Sequence, residues 1–263
     1  MIKNIFLRKH VLTLRVLPIV AVIVVAKIVF DRMGWDSMPL SSLVGTVISA
    51  NVFLLGFLIS GSLPDYKESE KLPGELSASL ETLADEMSIL QERKGIPEPR
   101  LVLEHLVELS QTLHQWFLKE ARTREVMDAI RELNQHFAKL EDHMQANFIT
   151  RMKQEQNNIR KMVIRVHTIR STTFIATAYA IAEAFTVIVL TGLLFLDLGS
   201  LQEALFFTGG ISFLLCYMIA LIKDLDNPFH YHEHAHLDDE IALEPIVKVR
   251  EKIKMALKDM DAV

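Results

Sequence analysis

Four histidines stand at alternate positions in "HYHEHAH": His230, His232, His234 and His236. Neutral imidazole is a good ligand for borderline metals such as zinc and nickel. In an extended segment all four rings would project to one side. The tract could bind such a metal, respond to pH near ~6.5, or serve only as a solvated linker. Asp238, Asp239 and Glu240 follow at once.

A second set of residues lies in "LVGTVISANVFLLGFLISGSLPDYKESEK", Leu43 to Lys71. At helical spacing Ser42, Thr46, Ser49, Phe53, Phe57 and Ser60 fall on one side, flanked by Gly45 and Gly56. Ile48, Leu55, Leu58 and Ile59 occupy the other. Hydroxyls in hydrocarbon seek partners, so a lipid-facing helix has no use for such a stripe. Two readings fit. Gly and Ser could permit close helix–helix approach. Alternatively the stripe lines a pore, with Phe53 and Phe57 as hydrophobic constrictions and Ser49 as a small polar ring.

Two charges fall within apolar runs. Glu183, in "AYAIAEAFTVIVL", is expected near mid-membrane, where a carboxyl must be protonated, paired or wet. It could gate, bind a cation or sense protons, or simply bond to Asn51 or a neighbouring hydroxyl. Lys27 is expected to snorkel to the outer interface. No nucleophile–base pair, phosphate loop, zinc spacing or GxSxG elbow is visible, so no enzyme is expected and no cofactor is required. The net charge of -5 gives no reason to expect nucleic acid. The single cysteine, Cys216, permits no disulfide within one chain.

The elements that must position these residues follow from the distribution of apolar sequence. Half of the 263 residues are hydrophobic, clustered toward the two ends of the chain. Four runs could cross a bilayer: Val11–Phe30, Leu40–Leu63, Thr172–Leu196 and Ala204–Ile222. Lys3, Arg8, Lys9 and Arg15 precede the first, and Arg160, Lys161, Arg165 and Arg170 precede the third, while Lys223 follows the fourth. The short connectors carry only Arg32 as a basic residue. The positive-inside rule then places both termini and the long middle segment in the cytoplasm. The expected order is a transmembrane hairpin over residues 1–63, a cytoplasmic helical domain over 64–171, a second hairpin over 172–223, and a cytoplasmic tail over 224–263.

The middle segment lacks strand-like alternation. Leu76, Leu80, Leu83, Met87 and Leu90 recur at helical steps, and "KGIPEP" (Lys94–Pro99) ends that helix. Val102, Leu106, Leu109 and Leu113 mark a second helix. Val126, Ile130, Leu133, Phe137, Leu140 and Met144 keep heptad spacing and continue to Phe148 and Met152. This predicts long packed helices or a coiled coil extending the membrane helices as a stalk. The tail helix, Val247–Met260, is expected to be a peripheral helix packing on its neighbour, or to help hold subunits together.

"LLGF" (Leu54–Phe57) late in the second run, followed by Tyr66 and a charged helix, resembles the second helix of bestrophins. "DLDNPFHYHEHAHLDDEIALEPI" (Asp224–Ile246), directly after the fourth run, resembles the bestrophin segment in which an acidic residue and Asn-Pro-Phe lead to an acidic stretch. The Arg-Trp of bestrophins after the second helix is replaced here by "SLPDYKESEK". The resemblance implies an all-α integral membrane protein in the bacterial inner membrane, a homopentamer around a central pore, with neck residues at Ser49, Phe53 and Phe57. It also suggests a regulatory cation, as in the calcium clasp of some bestrophins, near the acidic residues, while zinc is an ion the histidine tract itself would suit. The expected function is an ion channel leaning toward chloride-like anions, because Phe edges carry partial positive charge, with a cation-selective channel as a variant. Its expected partners are lipids, small inorganic ions and further copies of itself. The rival reading is a non-conducting, membrane-anchored helical scaffold or sensor.

Overall fold

The computed structural model describes residues 11–171, 176–226, 228–229 and 241–261. The His230–His236 tract and Asp238, Asp239 and Glu240 lie outside the described residues. Four described helices are long and apolar enough to cross a membrane. The chain divides into two compact units, the first break falling after Tyr66.

The first unit contains α1 (Val11–Met33), most of α2 (Ser42–Ser69), α7 (Ala176–Phe195) and α8 (Leu201–Asp226). Helix α1 ends where Gly34 takes a left-handed conformation, φ 67°. The Trp35 amide then reaches back to the Phe30 carbonyl at 3.0 Å, a Schellman-type closure. Helix α8 packs along α1, and a Cβ at Gly209 would meet Val24 at 3.5 Å. Small residues at such contacts let backbones approach closely. The two short connectors meet in a parallel two-residue ladder, β1 (Met38–Pro39) on β2 (Leu196–Asp197), with Met38 opposite Leu196.

Helix α2 runs past the expected end at Leu63 to Ser69. At 1.5 Å per residue its 28 residues span about 42 Å, beyond the ~30 Å of a hydrocarbon core. Pro64 has no N–H to offer the Ser60 carbonyl. It fails to end the helix, which shows that the loss of one ladder bond is tolerated here.

The second unit is a five-helix bundle of α3 (Leu72–Lys94), α4 (Glu98–Phe117), α5 (Thr123–Leu140), α6 (Ala146–Ser171) and α9 (Glu244–Asp261). One core joins them, including Leu80, Met87, Leu106, Leu109, Ile130, Phe137, Ile159 and Val163. Gly95 caps α3 at φ 60°, its amide on the Gln91 carbonyl at 2.8 Å.

The structure makes two expectations in this unit more specific. The heptad run does not build one helix, because α5 stops at Leu140 and Met144 lies in the turn before α6. Gln156 Nε2 donates to the Ile130 carbonyl and Lys153 to Asn134, so the two helices run antiparallel. A hairpin buries both apolar faces against α4 and α3, which a straight stalk would leave exposed. The tail helix α9 packs on its neighbours, more deeply than a peripheral helix need. Ile246, Val249 and Ile253 are buried in the bundle core between α3 and α4.

Candidate pore-lining face

The fold gives α2 two unlike sides. Its back is buried: Asn51, Leu55, Leu58 and Ser62, spaced i, i+4, i+7 and i+11, are each at most 1% exposed. Ala182, Val189 and Leu215 from α7 and α8 complete this cluster. Its front carries Ser42, Thr46, Ser49, Phe53, Phe57 and Ser60, all exposed, with Phe53 at 77% and Phe57 at 59%. Within one chain the stripe therefore touches no neighbouring helix closely enough to be covered. The Thr46 hydroxyl bonds to the Ser42 carbonyl one turn back at 2.9 Å, which satisfies its donor without a second helix.

Polar contacts fasten the back of α2. Asn51 Nδ2 donates to Thr186 Oγ1 at 3.0 Å, and that hydroxyl lies 3.4 Å from Asn51 Oδ1. Lower on the helix, Ser62 Oγ is 3.0 Å from the Tyr179 hydroxyl. Tyr179 donates to Asp226 Oδ1 at 2.8 Å, and Asp226 is the last residue of α8. The sequence reading missed Thr186 and Tyr179. Asp226 was visible only as the acidic residue before Asn-Pro-Phe.

The two charges set in apolar runs find other partners than expected. Glu183 bonds neither to Asn51 nor to a hydroxyl; its Oε1 lies 2.8 Å from Lys223 Nζ, near the end of α8. Lys27 does not snorkel. It is fully buried, and its Nζ donates to the Leu196 carbonyl at 2.7 Å and the Leu194 carbonyl at 3.3 Å. Asp36 stands 3.8 Å away. A cation at the last turn of α7 and the first carbonyl beyond it complements the negative end of that helix.

In the second unit, Arg165 holds Glu68 with both arms, Nε to Oε1 at 2.8 Å and Nη2 to Oε2 at 2.5 Å. That pairing holds the Glu68 carboxyl below its ordinary range. Arg170 donates to the final carbonyls of α4, Trp116 at 3.0 Å and Phe117 at 2.7 Å. Its guanidinium also lies over the rings of Trp116, Phe117 and Phe229. Phe229, the Phe of Asn-Pro-Phe, is fully buried there. The His105 and His136 rings stack at 5.0 Å between α4 and α5. Burial, with His105 and Lys139 nearby, holds the His136 imidazole below its ordinary 6.5. Among the described residues no group of three or more His, Cys, Asp or Glu is placed to hold a metal ion.

No protein-family model and no curated protein matches the sequence. Solved structures match along nearly its whole length. A bestrophin homologue from Klebsiella pneumoniae is similar over 99% of this chain and 100% of its own, with a TM-score of 0.71 at 16% identity. A second crystal structure of a bestrophin homologue from that organism gives 0.70 at 16%, over 95% of this chain and 96% of the other. A third crystal structure, of a membrane protein, gives 0.73 at 16%, over 95% and 98%. The chain thus has the fold of the bacterial bestrophin homologues.

Proposed function

We propose that the chain is one subunit of an ion channel whose pore is lined by the front of α2. The observation that carries this reading is the exposure of the whole Ser/Thr/Phe stripe while the opposite side of the same helix is buried and hydrogen-bonded. A polar stripe at membrane depth needs water or a neighbouring subunit against it. Closed rotational symmetry would repeat it around an axis. The bestrophin-like fold supports the same arrangement, as a homopentamer in the bacterial inner membrane with both termini cytoplasmic. Phe53 and Phe57 would form the narrow neck, with Ser49 above as a wider polar ring. Phe edges favour a partly dehydrated anion such as chloride; a cation-selective pore of the same build is the variant. A non-conducting scaffold, in which the stripe would be mere packing, is less favoured, because no described helix of the folded chain covers it. A calcium or zinc ion at the His230–Glu240 segment would be regulatory in this scheme.

The test is ionic current through the purified protein in a planar bilayer under a salt gradient. Discrete openings are expected, with a reversal potential of the sign set by anions. Phe53→Ala with Phe57→Ala should raise conductance or open probability. Silence from a folded oligomer, in wild type and double variant alike, would leave the scaffold as the better account.

A further inference from the structure

Two polar contacts hold the buried back of α2 to α7, and Phe53 and Phe57 stand between their levels on the front. The upper contact, Asn51 with Thr186, is closed: both residues are at most 2% exposed. The lower one, Ser62 with Tyr179, is built differently. It is only partly buried, and it continues to Asp226. A phenol has one proton, and a carboxylate accepts but cannot donate. The Tyr179 proton therefore goes to Asp226, and Ser62 must donate if it is to bond Tyr179. The Leu58 carbonyl, 3.2 Å from the same Ser62 oxygen, competes for that proton. The lower contact thus has a ready alternative within α2 itself, whereas among the described residues the side chains of Asn51 and Thr186 bond only to each other.

From Asn51 to Ser62 is eleven residues, about 16 Å of rise and about 20° of rotation, so both contacts lie on one line along the helix. Two points on one line fix a helix against turning about its own axis. Release of the lower point leaves the part of α2 above Pro64, where the ladder already lacks one bond, free to turn or tilt about the upper one, while Glu68 below stays held by Arg165. Phe57 lies in that part, about one and a half turns above Ser62 and on the other side.

We propose that Ser62, Tyr179 and Asp226 form a latch that sets the rotation of this part of α2, and so how far Phe57 stands into the ion path. Asn51 and Thr186 are the fixed point. The proposal rests on the channel reading for its role, but the latch itself can be examined without current. All three are positioning residues, since none touches the stripe.

The experiment uses the full-length protein in liposomes with Cys216→Ser and Phe57→Cys, so that position 57 carries the one thiol. The rate of its modification by a water-soluble maleimide is measured beside single-channel open probability. Tyr179→Phe and Ser62→Ala each remove one hydroxyl and little volume. Each is expected to change the modification rate in the same direction by about 2- to 10-fold, the shift that one hydrogen bond commands. The double variant should do no more than either single one, because both break the same contact. Tyr217→Phe, on α8, should leave the rate unchanged.

Unchanged rates at position 57 in both single variants, with elution volume and thermal midpoint retained, would overturn the latch even if current flows normally. Additive effects of the two would overturn it too. If the rate moves as expected while wild type and variants carry no current, the latch stands and the channel reading falls.

Discussion

Asn51 and Thr186 meet across the α2–α7 contact with the Asn51 amide 3.0 Å from the Thr186 hydroxyl, both fully buried. They are 135 residues apart in sequence. In a membrane such a pair is worth about 0.6 to 1.7 kcal/mol. Its loss is uneven, since a single truncation strands the remaining polar group. Asn51→Leu and Thr186→Val should each destabilise the folded protein in detergent. The double variant should cost less than the sum, by a coupling of about 0.5 to 2 kcal/mol, measured in a thermal or denaturant double-mutant cycle. Strict additivity would mean that the contact contributes nothing.

Lys27 offers a sharper contrast. Lys27→Met keeps length and apolar volume but removes the donors to the Leu194 and Leu196 carbonyls. The expected loss is about 1.5 to 3 kcal/mol, the range for hydrogen bonds to a charged group. Lys67→Met, at an exposed pair with Glu70, should change stability by no more than about 0.5 kcal/mol. Equal effects at the two positions would remove the structural role given to Lys27.

The Glu68–Arg165 pair gives stability a dependence on acid. The folded carboxyl titrates below its ordinary 4.5. Unfolded chains therefore take up the proton first as pH falls, and the contribution, present above pH 4.5, is lost below it. The pair is substantially exposed, so salt should weaken it. The unfolding midpoint of Glu68→Gln should fall less than that of wild type between about pH 5 and 3.

His136 acts in the same direction at higher pH. Its folded value lies below 6.5, so its neutral form is favoured in the bundle. Stability is full above pH 6.5 and declines as pH falls below that value, because only the unfolded chain gains the proton. Carboxylates of Glu132 and Glu108 oppose the shift without reversing it. His136→Asn should flatten the stability profile just below pH 6.5; a profile identical to wild type would assign the acid sensitivity elsewhere.

Arg170 closes the α4 terminus while its plane covers three aromatic rings. Arg170→Lys retains the charge but loses the flat fork that reaches two carbonyls at once. A loss of about 1.5 to 3 kcal/mol is expected on chemical unfolding. Full retention by lysine would show that charge alone suffices.

Much of α2 was legible because a 3.6-residue period sorts its residues into two faces whatever lies around them. Leu55 and Leu58 fell on the inner face and Phe53 and Phe57 on the outer for that reason alone. The partners of Asn51, Ser62, Glu183 and Lys27 were not legible. They are supplied by α7, α8 and the connector after α7, more than a hundred residues away for three of the four, and periodicity carries no information about which helix a face will meet. Lys27 shows the cost of reasoning locally: a cation near a span's end commonly snorkels, yet here carbonyls at the end of another helix were within reach. The turn at 141–145 escaped notice because it contains no Gly or Pro and its apolar residues stay in heptad register. The reversal is set by the bundle's need to bury both faces, a tertiary cause with no local mark.

The split of the membrane unit by the bundle has a consequence for biosynthesis. Lys27 and Asn51 enter the membrane with the first hairpin, but their partners lie 169 and 135 residues downstream. At about 5 to 20 residues per second, Asn51 waits roughly 7 to 27 seconds before Thr186 is even synthesised. Through that interval a polar amide and an ammonium stand in a two-helix intermediate without their native contacts. The nascent chain is thus exposed to membrane quality control for a time fixed by the length of its own helical bundle, and lengthening that bundle would lengthen the risk.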